Sequence, residues 1–187
     1  MDLLRGKIGP IYLKYLSAAF GSALITSVYS IVDMAMVGQY QGPDGTAALA
    51  VVAPIWNVIY SLGLLMGIGG SVLFSTVRGS SARRAEDENE YFTAAVIGSV
   101  VLSIAAWAAV LLWEKPVLRL FGADEGLLEL AQAYLRPIKA VFPCFLFNQM
   151  LAAFLRNDDR PGLATAGVLV GGAFNIVGDY LFVFGLD

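Results

Sequence analysis

Residues 27–38 read SVYSIVDMAMVG, with one carboxylate, Asp33, in the middle of an otherwise lipid-soluble run. Between Tyr15 and Pro43 it is the only charged side chain, and Ala, Leu, Ile, Val and Met make up most of both flanks. A charge near the centre of a membrane helix opposes insertion by roughly 2.5–3.5 kcal/mol. Either this run does not cross a membrane, or Asp33 serves a function there.

The remainder of the chain decides for a membrane. Its 187 residues are 58% hydrophobic and 14% charged, against about 25% charged residues in a soluble domain. The mean hydropathy is +0.70. Gly45–Val77 contains no Asp, Glu, Lys or Arg, and a helix needs only about 20 such residues to cross the hydrocarbon core. Tyr91–Trp113, Ala140–Leu155 and Pro161–Gly178 are likewise uncharged. A soluble chain would need polar faces to cover its core, and these runs offer none. The predicted fold class is an all-α, multi-spanning membrane protein.

Composition also removes several chemistries. There is no histidine and one cysteine, Cys144. Ser/His and Cys/His nucleophilic pairs, His-ligated zinc and an intrachain disulfide are thereby excluded. The net charge of −3 argues against a nucleic-acid partner. The glycines of GIGGS do not form a nucleotide fingerprint, because Val72 stands where GxGxxG needs glycine and no strand precedes it. No cofactor is expected. The N-terminus, MDLLRGKIGPIYLKYL, is not a cleavable signal, since its apolar run extends far past a signal's short core.

Five spans are predicted over residues 11–37, 47–77, 91–113, 128–155 and 163–186. QYQGPDG closes the first as a turn cluster, and RGSSARRAEDENE follows the second as a solvated loop. The acidic residues of that loop suit the N-terminus of the next helix. EKPVLRLFGADEG is short and mixed, suited to an interface, and RNDDRPG turns the chain into the last span. Arg136 and Lys139 fall within snorkelling range of an end of the fourth span. Arg5, Lys7, Lys14, Arg78, Arg83, Arg84, Arg156 and Arg160 fall on one side, Lys115 and Arg119 on the other. Positive residues stay cytoplasmic, which predicts a cell-membrane protein with its N-terminus inside. Asp187 follows the last apolar residues without a polar tail, so the chain is expected to be cut from a longer one.

Besides Asp33, one carboxylate lies within an apolar run: Asp179, in GGAFNIVGDYLFVFG. Asn175 precedes it by four and Tyr29 precedes Asp33 by four, so each carboxylate shares a helix face with a polar partner. Both carboxylates fall near the outer ends of outward-running spans. They either cap helix ends near the interface or form an intramembrane functional site. Burial and a neighbouring like charge both favour the protonated form of a carboxyl. Such a pair can exchange a proton near neutral pH, or hold a cation in its place. The chemistry suggested is ion-coupled transport.

The ordered set YSIVDMAMVGQYQG, AALAVVAPIWNVIYSLGLLMGIGGS, FLRNDDRP and FNIVGDYLFVFG resembles the N-terminal lobe of the MATE (multidrug and toxic compound extrusion) family through essentially the whole chain. The resemblance implies the first five helices of a six-helix lobe, with the sixth helix and the C-terminal lobe outside residues 1–187. It implies export of organic cations or drugs in exchange for H⁺ or Na⁺, with the remaining half of the transporter and membrane lipid as partners. It also implies a coupling-cation site at Tyr29, Asp33, Asn175 and Asp179, with any Na⁺ held at Asp33, Asn175 and Asp179. The sequence departs from many members at Ser17-Ala18, where they carry a mid-helix proline.

Other features read more plainly. Gly63, Gly67, Gly69, Gly70 and Ser71 form a small-residue face suited to close helix packing. Asn148 and Gln149 either line a cavity or bond between helices. Trp56, Trp107 and Trp113 are expected to face lipid or the interface. An intramembrane aspartyl protease is the enzyme alternative, but Val32 precedes Asp33 and Ile176 replaces the first glycine of Gly-x-Gly-Asp. A lipid-linked oligosaccharide flippase of the same superfamily is the closer rival; its relatives often carry a cationic cavity, whereas the mid-span charges here are acidic. No enzymatic activity is expected.

Overall fold

A computed structural model describes residues 8–79, 85–158 and 160–184, apart from the side chains of 85–87, 179 and 182–184. Arg5, Lys7, Arg83, Arg84, Asp187 and the side chain of Asp179 lie outside the described residues. The elements are α1 (Ile8–Arg78), α2 (Ala85–Leu112), α3 (Glu114–Leu120), α4 (Glu125–Asn157) and α5 (Pro161–Phe184).

At 71 residues, α1 is far too long for one crossing, which takes about 20. It is two helices joined at Gly42, whose φ of 64° and ψ of −151° lie in a region essentially reserved for glycine. Pro43 follows as the first residue of the new helix, where its missing N–H has no partner to lose. The connection is therefore tighter than the QYQGPDG cluster suggested: helix persists on both sides and one residue turns the chain. The two limbs then pack at once. A β-carbon on Gly45 would stand 3.0 Å from Val37 Cγ1, and one on Gly38 would stand 3.3 Å from Thr46 Cγ2.

The limbs are antiparallel: Gln41 meets Tyr134 near the start of α4, whereas Ser22 meets Thr165 just past the end of α4, where Asn157 meets Ser71. The same reading orders the rest of the bundle. Gly63 meets Leu146 and Gln149, Gly67 meets Met150 and Ala153, and Asn157 Nδ2 donates to Ser71 Oγ at 2.6 Å. Rising numbers meet rising numbers, so the second limb and α4 run parallel. Helix α2 lies antiparallel to both: Gly70 meets Ala95 while Gly98 meets Met66, and Phe92 stacks edge-on with Phe154 while Trp107 reaches Lys139. The main core joins the second limb to α4 through Ala48, Val51, Val52, Ile55, Ile59, Leu128, Ala131, Leu135, Phe142 and Leu146, with Leu118 of α3 buried beside them.

The small-residue face of the second limb is a packing surface at Gly63, Gly67 and Gly70, while Gly69 meets nothing within 4 Å. A β-carbon on Gly63 would come within 2.5 Å of Leu146 O, and one on Gly67 within 2.8 Å of Met150 Cα. Helix backbones approach this closely only where side chains are absent. Elsewhere the outward surface is apolar, with Leu13, Phe20, Ile31, Val101, Ile104, Val170 and Phe174 all exposed, as a lipid-facing boundary requires.

One tryptophan departs from the lipid-facing expectation. Trp56 packs edge-on to Phe145, ring centroids 4.1 Å apart, whereas Trp107 stays exposed while its indole N–H makes a polar contact with α4. Trp113 is exposed, as expected. Lys139 does not snorkel to water: its ammonium pairs with Glu114 at 2.7 Å.

Candidate cation site between the first limb and α5

The first limb is held to α5 by a polar staple and a close approach. Ser22 Oγ donates to Thr165 Oγ1 at 3.3 Å, and Thr165 Oγ1 in turn donates to Ala18 O at 3.3 Å. Two turns further on, Gly172 accepts the Tyr29 ring, whose Cδ1 lies 3.2 Å from the β-carbon position, with Ile25 Cγ1 at 3.4 Å. Ser22 and Thr165 are 143 residues apart, and Tyr29 and Gly172 have the same offset. A constant offset means that the two helices run parallel and in register.

Carried one turn further, this register sets Asp33 level with Ile176. Asn175 and the backbone of Asp179 lie on either side of that level. Tyr29, Asp33 and Asn175, with the backbone of Asp179, thus fall along one seam near the Gly42 end of the bundle. Tyr29, Asp33 and Asn175 are each half-buried. Among the described residues, Asn175 Oδ1 is a buried oxygen with no hydrogen-bond partner. A buried acceptor left open is unfavourable by about 1–3 kcal/mol, so its presence about one residue from the level of Asp33 marks a place suited to a donor or a cation.

A further group was not foreseen from sequence. Tyr134 of α4 donates its hydroxyl to Gln41 Oε1 at 3.3 Å, and both Asp33 and Tyr40 lie within electrostatic reach of it. In sequence Tyr134 sits in the amphipathic beginning of α4, apart from any other candidate. Only the packing of α4 against the Gly42 turn reveals it. Asn148 and Gln149 do not join this cluster. Asn148 is exposed, and Gln149 Cβ would stand 2.8 Å from a β-carbon on Gly63. By the antiparallel register of the two limbs, that level is roughly 20 Å along the bundle from Asp33, at about 1.5 Å per residue.

The arrangement offers one carboxylate, a buried open amide oxygen and two phenol hydroxyls from three helices. Oxygen donors of this kind suit a proton or a hard monovalent cation, and the half-buried setting strengthens their electrostatic interaction with it.

Comparisons with known proteins bear on the family and the fold. The sequence model described as MatE matches residues 18–181. The Multidrug export protein MepA of Staphylococcus saprophyticus is 24% identical over 165 residues, covering 88% of this chain and 36% of that protein. The Staphylococcus aureus protein of the same name is 22% identical over 164 residues, with the same coverages of 88% and 36%. Among solved structures, a crystal structure of MATE in complex with MaD3S superposes with a TM-score of 0.86 at 24% identity, over 98% of this chain and 41% of that one. An outward-facing multidrug resistance MATE family transporter of the MOP superfamily gives a TM-score of 0.78 at 24% identity, over 89% of this chain and 36% of that one. The chain spans about a third of the length of the curated relatives it matches.

Proposed function

The chain belongs to the MatE family, and from that premise we propose that it supplies the ion-coupling half of an exporter of organic cations or drugs. In this reading, residues 8–184 form the first five spans of an N-terminal lobe, and a sixth span and a second lobe complete the transporter. The coupling ion, H⁺ or Na⁺, binds at Asp33 and Asp179 with Asn175 and Tyr29 as neutral partners. The substrate is a small cationic molecule moved against that ion. The lobe lies in the cell membrane with its N-terminus in the cytoplasm.

The observation that carries this reading is the open, buried Oδ1 of Asn175 at the level of a half-buried Asp33. An acceptor held open near that level suits a ligand that arrives and leaves. Membership also speaks against the aspartyl-protease reading, whose glycine signature Ile176 already breaks.

The test is transport by the complete protein in proteoliposomes under an imposed proton or sodium gradient. Asp33→Asn and Asp179→Asn are each expected to abolish gradient-driven export while leaving the amount of folded protein unchanged. Export at the wild-type rate by either variant removes that residue from the coupling site.

A further inference from the structure

Pro143 lies inside α4. Proline has no backbone N–H, and in a helix that N–H would have bonded the carbonyl four residues back. The orphaned carbonyl is that of Lys139. In hydrocarbon such a group needs a partner, and proline is tolerated in membrane helices because neighbouring groups provide one. Here the donor comes from another helix. Trp107 Nε1 of α2 donates to Lys139 O at 2.8 Å.

The same residue is gripped a second time. Lys139 Nζ donates to Glu114 Oε2 at 2.7 Å, and the two side chains are only 19% and 18% exposed. Glu114 opens α3, so α2 and α3 both hold α4 within one turn of Pro143, the second of the two prolines inside it. The position matters because prolines are where helices bend. On the N-terminal side of Pro143, α4 carries Tyr134 to Gln41. On the C-terminal side it carries Met150 and Ala153 onto Gly67. The angle between these halves fixes how the outer part of α4 meets the Gly42 turn while its inner part stays packed.

We propose that Trp107 is a positioning residue: its indole N–H replaces the backbone donor that Pro143 deletes, locking the angle of α4 and the placement of Tyr134 against Gln41. The inference does not depend on the identity of the coupling ion or substrate.

The relationship between Trp107 and Pro143 makes it testable. Trp107→Phe keeps a ring but removes the donor. Pro143→Ala restores the backbone N–H to Lys139 O, after which the indole donor becomes redundant. Spin labels at the exposed positions Glu129 and Leu151, in a Cys144→Ala background, lie on either side of Pro143, with Pro137 between them unchanged in every variant. They are about 33 Å apart along the helix at about 1.5 Å per residue, a span suited to pulsed electron–electron resonance on the complete transporter in lipid nanodiscs. Trp107→Phe is expected to broaden the distance distribution about twofold, and the same change in a Pro143→Ala background to leave it unaltered. A wild-type width for Trp107→Phe, or equal broadening with and without Pro143, overturns the proposal. Should Trp107→Phe fail to fold, recovery of the folded protein by Pro143→Ala supports it and failure of the double variant counts against it.

Discussion

The ring of Tyr29 lies against Gly172, with Cδ1 3.2 Å from the point where a β-carbon on that glycine would sit. The contact sets the separation of the first limb and α5 one turn before Asp33 on one helix and Asn175 on the other. Gly172→Val is expected to push the ring aside and part the two site residues, lowering ion-driven export about tenfold with little change in the amount of folded protein. Gly171 meets nothing within 4 Å, so Gly171→Val is the matched control and should transport nearly as well as wild type. Equal losses in both variants would show that the Tyr29 contact is not what matters.

The second limb and α4 face a harder constraint. At Gly67 an added β-carbon would meet Met150 Cα at 2.8 Å, and at Gly63 it would meet Leu146 O at 2.5 Å. These are backbone atoms, which cannot swing away as a flexible side chain does. Overpacking a core ordinarily destabilises by about 1–3 kcal/mol, and Gly67→Leu is expected at or above the top of that range. Gly69, with open space around it, should accept Leu with little effect. Thermal unfolding in detergent, followed by size-exclusion profile, distinguishes the two; a stable, monodisperse Gly67→Leu protein contradicts the packing described.

Much of this architecture was legible in the sequence because lipid imposes a simple code. Long apolar runs almost free of charge locate the spans, and small residues four apart locate the tight helix contact. Asp33 and Asp179 stood out for the same reason, as charges where charge is disfavoured. What escaped was whatever depends on neighbours far away in the chain. Tyr134 looks like an ordinary aromatic at the start of a helix until α4 meets Gln41. Trp107 is exposed as its sequence suggests, but that its N–H serves the carbonyl left open by Pro143 shows only once α2 meets α4. Lys139 looks free to snorkel until α3 brings Glu114 beside it. At the Gly42 turn, sequence showed the cluster of breakers but not that one glycine conformation would suffice to reverse the chain.

Orientation in the membrane follows from the basic residues. Among the described residues, Lys14, Arg78, Arg156 and Arg160 belong toward one end of the bundle, and Lys115 and Arg119 toward the other. Positive residues favour the cytoplasm, so the Gly42 turn is expected outside and the start of α2 inside. In a Cys144→Ala background, an impermeant thiol reagent added to intact cells should label a cysteine at the exposed position Gln41. It should leave one at the exposed position Asn89 unmodified until the membrane is opened. The reverse pattern inverts the topology.

Asn175 separates the role of the carboxylate from that of its helper. Its amide oxygen is buried and open, poised to accept from a protonated carboxyl or to ligate a sodium ion. Asn175→Ala removes a neutral partner and no charge. A neutral hydrogen bond contributes about 0.5–1.5 kcal/mol, so apparent ion affinity should fall by roughly a few-fold to tenfold while transport persists at high ion concentration. Asp179→Asn removes the counter-charge itself, and a cation in a half-dry site then has little to hold it. That variant should be inactive at every ion concentration. The measurement is export against pH and against sodium for the two variants side by side. Identical inactivity with normal folding would make Asn175 a primary ligand, whereas a wild-type response of Asn175→Ala would remove it from the site.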